Sequence, residues 1–242
     1  MKIGIFPRSA LLFVLALIIT APAMAAQAER QIDCGIAITN DAVVITKVTL
    51  GTKEVPCMWS PGPPNGRGVY QPAPPFQADD DWLQNVTIYL FNRTNKSIAW
   101  VWVDIGFPQT GDGLSQATSQ RTYQIILGQR PDAANFDPRT GQPMPVQGTP
   151  LSFAPGQTLE IHLGEHFDRI KERTRDRLFA PLTSVRVSPV HAFFVDGMGW
   201  NPSSYQVPDP EHHGKWIHMP MGYFLGNASA NWPPATIGKS RE

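Results

Sequence analysis

Apolar and polar positions alternate with a period of two through much of this chain. In "NVTIYLFN" Val86, Ile88 and Leu90 alternate with Thr87, Tyr89 and Phe91, and in "TLEIHL" the apolar set is Leu159, Ile161 and Leu163. A period of two is the repeat of an extended strand. The β-branched runs "IAITN" and "AVVITKVTLG" predict two strands with a turn at Asn40-Asp41, and "RTYQIILG" predicts another. "SVRVSPVHAFFV" opens as a strand and passes into turns at Asp196-Gly197. "IAWVWVDIGFP" follows "NVTIYLFN" across the turn "RTNKS", which predicts a hairpin. Both of its strands are bulky on both faces, so they are expected in the middle of a covered sheet. Trp100 and Trp102 share a face there. Exposed, they would stack on sugar rings; buried, they belong to the cover of a central strand. One segment changes period: "EHFDRIKERTRDRLF" places Phe167, Ile170 and Leu178 on one side of a helix near 165–178.

Between these elements lie two long proline-rich connections. "PGPPNGRGVYQPAPP", residues 61–75, has six prolines in fifteen positions, a density at which no regular element is expected. It reads either as a stiff surface connection or as a polyproline ligand or binding loop. "QRPDAANFDPRTGQPMPVQG", residues 129–148, is built of turn chemistry around Asp137-Pro138 and Thr140-Gly141, and its length asks for a purpose.

The N-terminus has a different character. Lys2 and Arg8 precede the apolar run "LLFVLALIIT" and then Ala23-Met24-Ala25, the order of a secretory signal peptide with cleavage expected after Ala25. Ten apolar residues are too few for a bilayer core that needs about 20 in a helix, so no membrane span is expected. Residues 26–242 are read as a single domain, exported to a periplasm or the outside. Removing Lys2 and Arg8 leaves 18 basic against 20 acidic residues and no basic stripe, which argues against nucleic acid as a partner. In an oxidising compartment Cys34 and Cys57 are expected to form one disulfide, closing a loop of 24 residues. On the chain-entropy model such a bridge stabilises by about 3 kcal/mol.

One motif suggests catalysis. "HLGEH", His162 to His166, has the H-x-x-E-H spelling of a zinc site and resembles that of the inverzincin peptidases, over five residues. In that family the motif lies within a helix, where the two imidazoles are about 6 Å apart along the axis and share an ion. In a strand they are about 13 Å apart. The alternation through Leu163 assigns His162 to a strand, and Gly164 marks the change to a helix starting near Glu165. The motif is therefore read as an accident of spelling.

The C-terminal third gathers aromatic and ionisable residues: Trp200, Tyr205, Asp209, Glu211, His212, His213, Trp216 and His218. Imidazoles and carboxylates could ligate a divalent ion, although adjacent histidines point apart and no known ligand spacing is reproduced. Solvated turn histidines are the alternative. Trp200, Tyr205, Trp216 and the Asp209 to His213 turn are the candidate binding surface, because Trp and Tyr combine an apolar ring with a polar edge. The alternative is a disposition in which these rings fold back as a lid on the edge of the fold.

"FFVDGMGW" followed by "DPEHHGKWIHMP", with "LFNRTNKSIAWVWVDIGFP" and "PLSFAPGQTLEIHL", resembles uncharacterised exported bacterial proteins with an Ig-like or fibronectin III-like β-sandwich. These stretches cover about a third of residues 26–242, and the resemblance implies a fold and no activity. The sequence thus reads as a mainly β protein, an Ig-like or fibronectin III-like sandwich with long Pro-rich loops and one helix. It is expected to act as a non-catalytic binding or structural module with a protein or polysaccharide partner and no cofactor. A carbohydrate-binding protein using the C-terminal aromatics and a metal-dependent hydrolase are the other classes. No Gly-x-Ser-x-Gly elbow suggests a serine hydrolase.

Overall fold

The alternation read in "VTIYLFN" is also the alternation of burial. Val86, Ile88, Leu90 and Asn92 point inward while the residues between them are half-buried. The computed structural model describes residues 27–34, 36–38, 41–55, 58–60, 67–71, 73–108, 121–175, 182–202 and 204–219. The predicted signal peptide and Cys57 lie outside them.

The first strands are β1 (Ala28–Asp33), β2 (Ile36–Ile38), β3 (Val43–Leu50), β4 (Lys53–Val55), β5 (Met58–Ser60), β6 (Arg67–Gln71) and β7 (Phe76–Ala78). They are followed by β8 (Val86–Asn92), β9 (Ile98–Phe107), β10 (Arg121–Gly128) and β11 (Thr158–His162). A helix, α1 (Phe167–Thr174), then precedes β12 (Ser184–Phe194), β13 (Gly199–Asn201), β14 (Ser204–Pro208) and β15 (Trp216–Met219). The larger sheet runs β10-β9-β12-β13-β14-β15, with β1 parallel to the start of β12 and β7 on β1. A second sheet runs β11-β8-β3-β4, and a small third one runs β2-β6-β5.

The protein is mainly β, and its core draws on both larger sheets. Val43, Ile45, Val48, Ile88 and Leu90 from the second sheet form one buried cluster with Val101, Val103, Ile105, Val185 and Val187 from the first. Each such side chain, fully buried, contributes about 1.5–3 kcal/mol.

Several expectations are corrected. β8 and β9 do not form a hairpin; β8 pairs with β3 and β11, and β9 with β10 and β12. Each has one largely apolar, buried side, and the two sides meet across the shared interior from different sheets. The predicted strands at 36–38 and 43–50 both form but in different sheets. Residues 61–75 contain a strand after all: β6 is the proline-free centre, where backbone donors are intact. After Asp196-Gly197 the chain forms three short strands rather than turns alone. The helix is shorter than expected, since residues 163–166 form a 3-10 turn before α1, and Leu178 lies outside the described residues.

β12 carries the irregularity that shapes the site. Its ladder to β9 shifts between Pro189 and His191, so Val190 is an extra residue. Before this bulge the inward residues are Val185 and Val187; after it Ala192 is inward, and His191 and Phe193 face outward beside Trp102 and Trp100.

Candidate binding surface

The outer face of the larger sheet carries an aromatic strip assembled from three strands. Period two along β9 lines up Trp100, Trp102 and Asp104, and the bulge sets His191 and Phe193 opposite them. The Trp100 ring lies 5.2 Å from Phe193, 5.7 Å edge-on from His191 and 6.4 Å from Trp102. Trp216, on β15, stacks on Phe193 at 5.3 Å. Trp100, Phe193 and Ala134 are buried, forming a small second core, while Trp102 and Trp216 pack at its margin and stay half-buried.

The polar groups around this strip are tuned by burial. Trp102 Nε1 donates to Asp104 Oδ1 at 2.6 Å. Burial holds the Asp104 carboxyl above its ordinary pKa, and the Trp102 bond partly offsets that. His191 accepts from Gln206 Nε2 at 3.3 Å, which suits a neutral imidazole. Burial first, and the Arg130 charge second, push its pKa down to about 4. The Arg130 guanidinium lies 4.9 Å from the Trp100 ring centre and 5.3 Å from that of Phe193, and burial lowers its pKa.

The long loop of residues 129–148 explains why so much of the strip is covered. It places Arg130 and Ala134 over the aromatic rings and closes on itself through Asn135, whose Nδ2 donates to the Met144 carbonyl at 2.7 Å. Its tip is fastened to the β14–β15 connection, with Phe136 stacked on His213 at 4.8 Å. Gly141 and Gly214, both at positive φ, make the close approach possible. A Cβ on Gly141 would meet the His213 carbonyl oxygen at 2.9 Å, and one on Gly214 the Asp137 oxygen at 2.6 Å.

The residues expected to form a C-terminal binding surface divide accordingly. Trp200 and Tyr205 are each 1% exposed and belong to the main core, the folded-back disposition, so their rings offer no face to solvent. Burial also raises the Tyr205 pKa. Asp209 accepts from the backbone N–H groups of Glu211 at 2.8 Å and His212 at 3.2 Å, and its Oδ2 meets His212 Nδ1 at 3.0 Å. The Glu211 bond is the largest influence holding the Asp209 pKa below its ordinary value. Asp209 and His212 thus organise their own turn, and His213 fastens the loop. Glu211 is exposed, and Trp216 alone of the three candidate rings reaches the outer strip.

The two histidines of "HLGEH" engage different neighbours. His162 Nδ1 is 3.1 Å from Thr87 Oγ1 on β8, whereas His166 Nδ1 is 3.2 Å from Tyr123 OH on β10. Burial lowers the His166 pKa. Among the described residues no three His, Cys, Asp or Glu side chains are grouped to hold a metal ion.

Sequence reasoning passed over Asp104, Arg130 and Phe193. The spacing of Trp100, Trp102 and Asp104 contained the signal for the first; the bulge that recruits Phe193 has no comparable signature. Compared with known proteins, the chain matches no protein-family model, no curated protein and no solved structure.

Proposed function

We propose that this chain is an exported, non-catalytic binding module on a fibronectin III-like β-sandwich, with the outer aromatic strip as its recognition surface. The sandwich assignment is supported by the order of the strands. β3-β8-β11 faces β10-β9-β12-β13 across the shared core, and the chain changes sheet after β8, after β10 and after β11. Export rests on the charged, apolar and small-residue order of residues 1–25. The disulfide rests on Cys34 and Cys57 being the two cysteines of such a chain. Thiol labelling of unreduced, unfolded protein tests the bridge, and two reactive thiols would remove it.

The observation that carries the binding reading is Trp102. Its ring stays partly exposed on an open sheet face beside Ile126, which is 54% exposed, and its orientation is fixed by Asp104. An oriented indole next to a carboxylate oxygen can stack on an apolar ring face and accept from a hydroxyl. The same observation favours a saccharide chain as a second, narrower reading.

Titration with soluble polysaccharides, read by tryptophan emission and protection from a collisional quencher, tests both. A saturable change lost in Trp102→Ala and Asp104→Ala, with thermal midpoints kept, is expected. Binding that survives Trp102→Ala would place recognition elsewhere.

A further inference from the structure

The start of β9, the turn after β12 and the loop after β10 enclose an open groove of about 510 Å³, a volume within the usual range for small-molecule sites. Pro131, Ala133, Leu151 and Val195 give it apolar walls. Its ionisable groups are Arg130, Asp132 and Asp196. Asp196 is already paired with Lys96. Among the described residues no carboxylate forms an ion pair with Arg130, and burial lowers its pKa. Its Cζ lies over the Trp100 and Phe193 rings, and the N–H groups of a guanidinium so placed serve as donors to a planar acceptor. A half-buried guanidinium at the wall of a groove is a ready partner for an anion that enters it.

We propose that this groove binds a small monocarboxylate with an apolar body, the carboxylate bridging the N–H edge of Arg130 and the body lying against Pro131, Leu151 and Val195. The fork of a guanidinium matches the two oxygens of a carboxylate. A single cation with Asp132 beside it disfavours a dianion such as phosphate. The inference goes beyond the aromatic-strip reading and does not depend on it. Asp104 is five residues along β9 from Ala99 in the groove, about 17 Å in a strand.

The test is calorimetric titration of the full exported chain with benzoate, benzamide and inorganic phosphate. Benzoate is expected to bind about tenfold more tightly than benzamide, and phosphate not to compete. Arg130→Met keeps an apolar chain over Trp100 and Phe193 while removing the donors, and should weaken benzoate about tenfold or more while leaving benzamide within about twofold. Asp132→Asn, at an exposed position, should strengthen benzoate about threefold and serves as the deciding variant if Arg130→Met does not fold. Benzoate binding no better than benzamide, displacement by phosphate, or indifference to both Arg130→Met and Asp132→Asn would each overturn the proposal.

Discussion

Asn92 holds Lys96 across the turn that carries the chain from one sheet to the other. Its Nδ2 donates to the Lys96 carbonyl at 2.8 Å and to the Phe153 carbonyl at 2.9 Å. Its Oδ1 accepts from Thr94 N at 3.0 Å and Thr94 Oγ1 at 2.7 Å. All this happens at a residue that is 0% exposed.

Replacing Asn92 by Ala removes these four hydrogen bonds; the Lys96 and Phe153 carbonyls keep Thr94 Oγ1 and Ile98 N as donors, whereas the Thr94 N–H loses its acceptor, and a hydrogen bond of this kind contributes about 0.5–1.5 kcal/mol. Asn92→Ala is therefore expected to lose about 2–4 kcal/mol in urea denaturation. Thr94→Val, which removes a hydroxyl from the same network, should lose about 1 kcal/mol. Equal losses for the two would show that Asn92 does not organise the turn.

A second expectation concerns acid. His191 titrates near 4 in the folded protein against an ordinary value of 6.5. Above pH 6.5 both folded and unfolded chains hold a neutral imidazole. Between 6.5 and 4 the unfolded chain takes up a proton that the folded one refuses, so stability falls as pH falls, by about 2–3 kcal/mol in all. His191→Gln should flatten this slope. Asp104, whose pKa burial raises, acts in the opposite direction and is common to both proteins, so the difference between them isolates His191. Parallel stability–pH curves would contradict this assignment.

Fastening of the long loop can be read by proteolysis. Gly214 has φ of 83° and no room for a methyl group against the Asp137 carbonyl. Gly214→Ala should loosen the tip of the loop and speed tryptic cleavage after Arg139, an exposed residue, severalfold. An unchanged cleavage rate would mean that the loop is held closed by its internal bonds, through Asn135 and Asp137, and not by the β14–β15 connection.

Much of the architecture was legible in the alternation of β8, β9, β11 and the start of β12, because period two directly encodes a buried face. It did not reveal which strand lies beside which: a face has no memory of its partner, and β8 and β9 looked like a hairpin until the two sheets were seen to share their interior. At Trp200 and Tyr205 the neighbouring Asp, Gly, Asn and Pro suggested exposed turns. Those residues instead punctuate strands of three and five residues whose rings close the edge of the core. Arg130 was hidden for a different reason, since its role depends on a loop folding back over rings more than sixty positions apart in the chain, Trp100 and Phe193.

Arg30 is 1% exposed, and its guanidinium donates to the Leu182 carbonyl at 2.7 Å and pairs with Asp80 at 2.6 Å. Asp80 is largely exposed, so Asp80→Asn should cost less than about 1 kcal/mol. Arg30→Met removes the guanidinium's bonds to the Leu182 and Ala78 carbonyls together with the ion pair, leaving the Leu182 carbonyl its bond from Trp82 Nε1, and should cost about 2–3 kcal/mol by urea denaturation. The reverse ranking would mean that the ion pair, and not the carbonyl, secures β1.

The parallel seat of β1 against β12 has a consequence for the order of assembly. Asp33 and Arg186, bonded at 2.7 Å, are 153 residues apart in the chain. Until residues 184–186 are in place, β1 has its short antiparallel ribbon with β7, three residue pairs that are marginal alone, and the bonds of Gln31 and Ile32 to Ala73. Contacts of such separation form late, because loop closure must precede them. The first described strand is thereby among the last to be sealed, and a chain interrupted anywhere before Ser184 carries an unpaired β1 edge, open to association with its own copies.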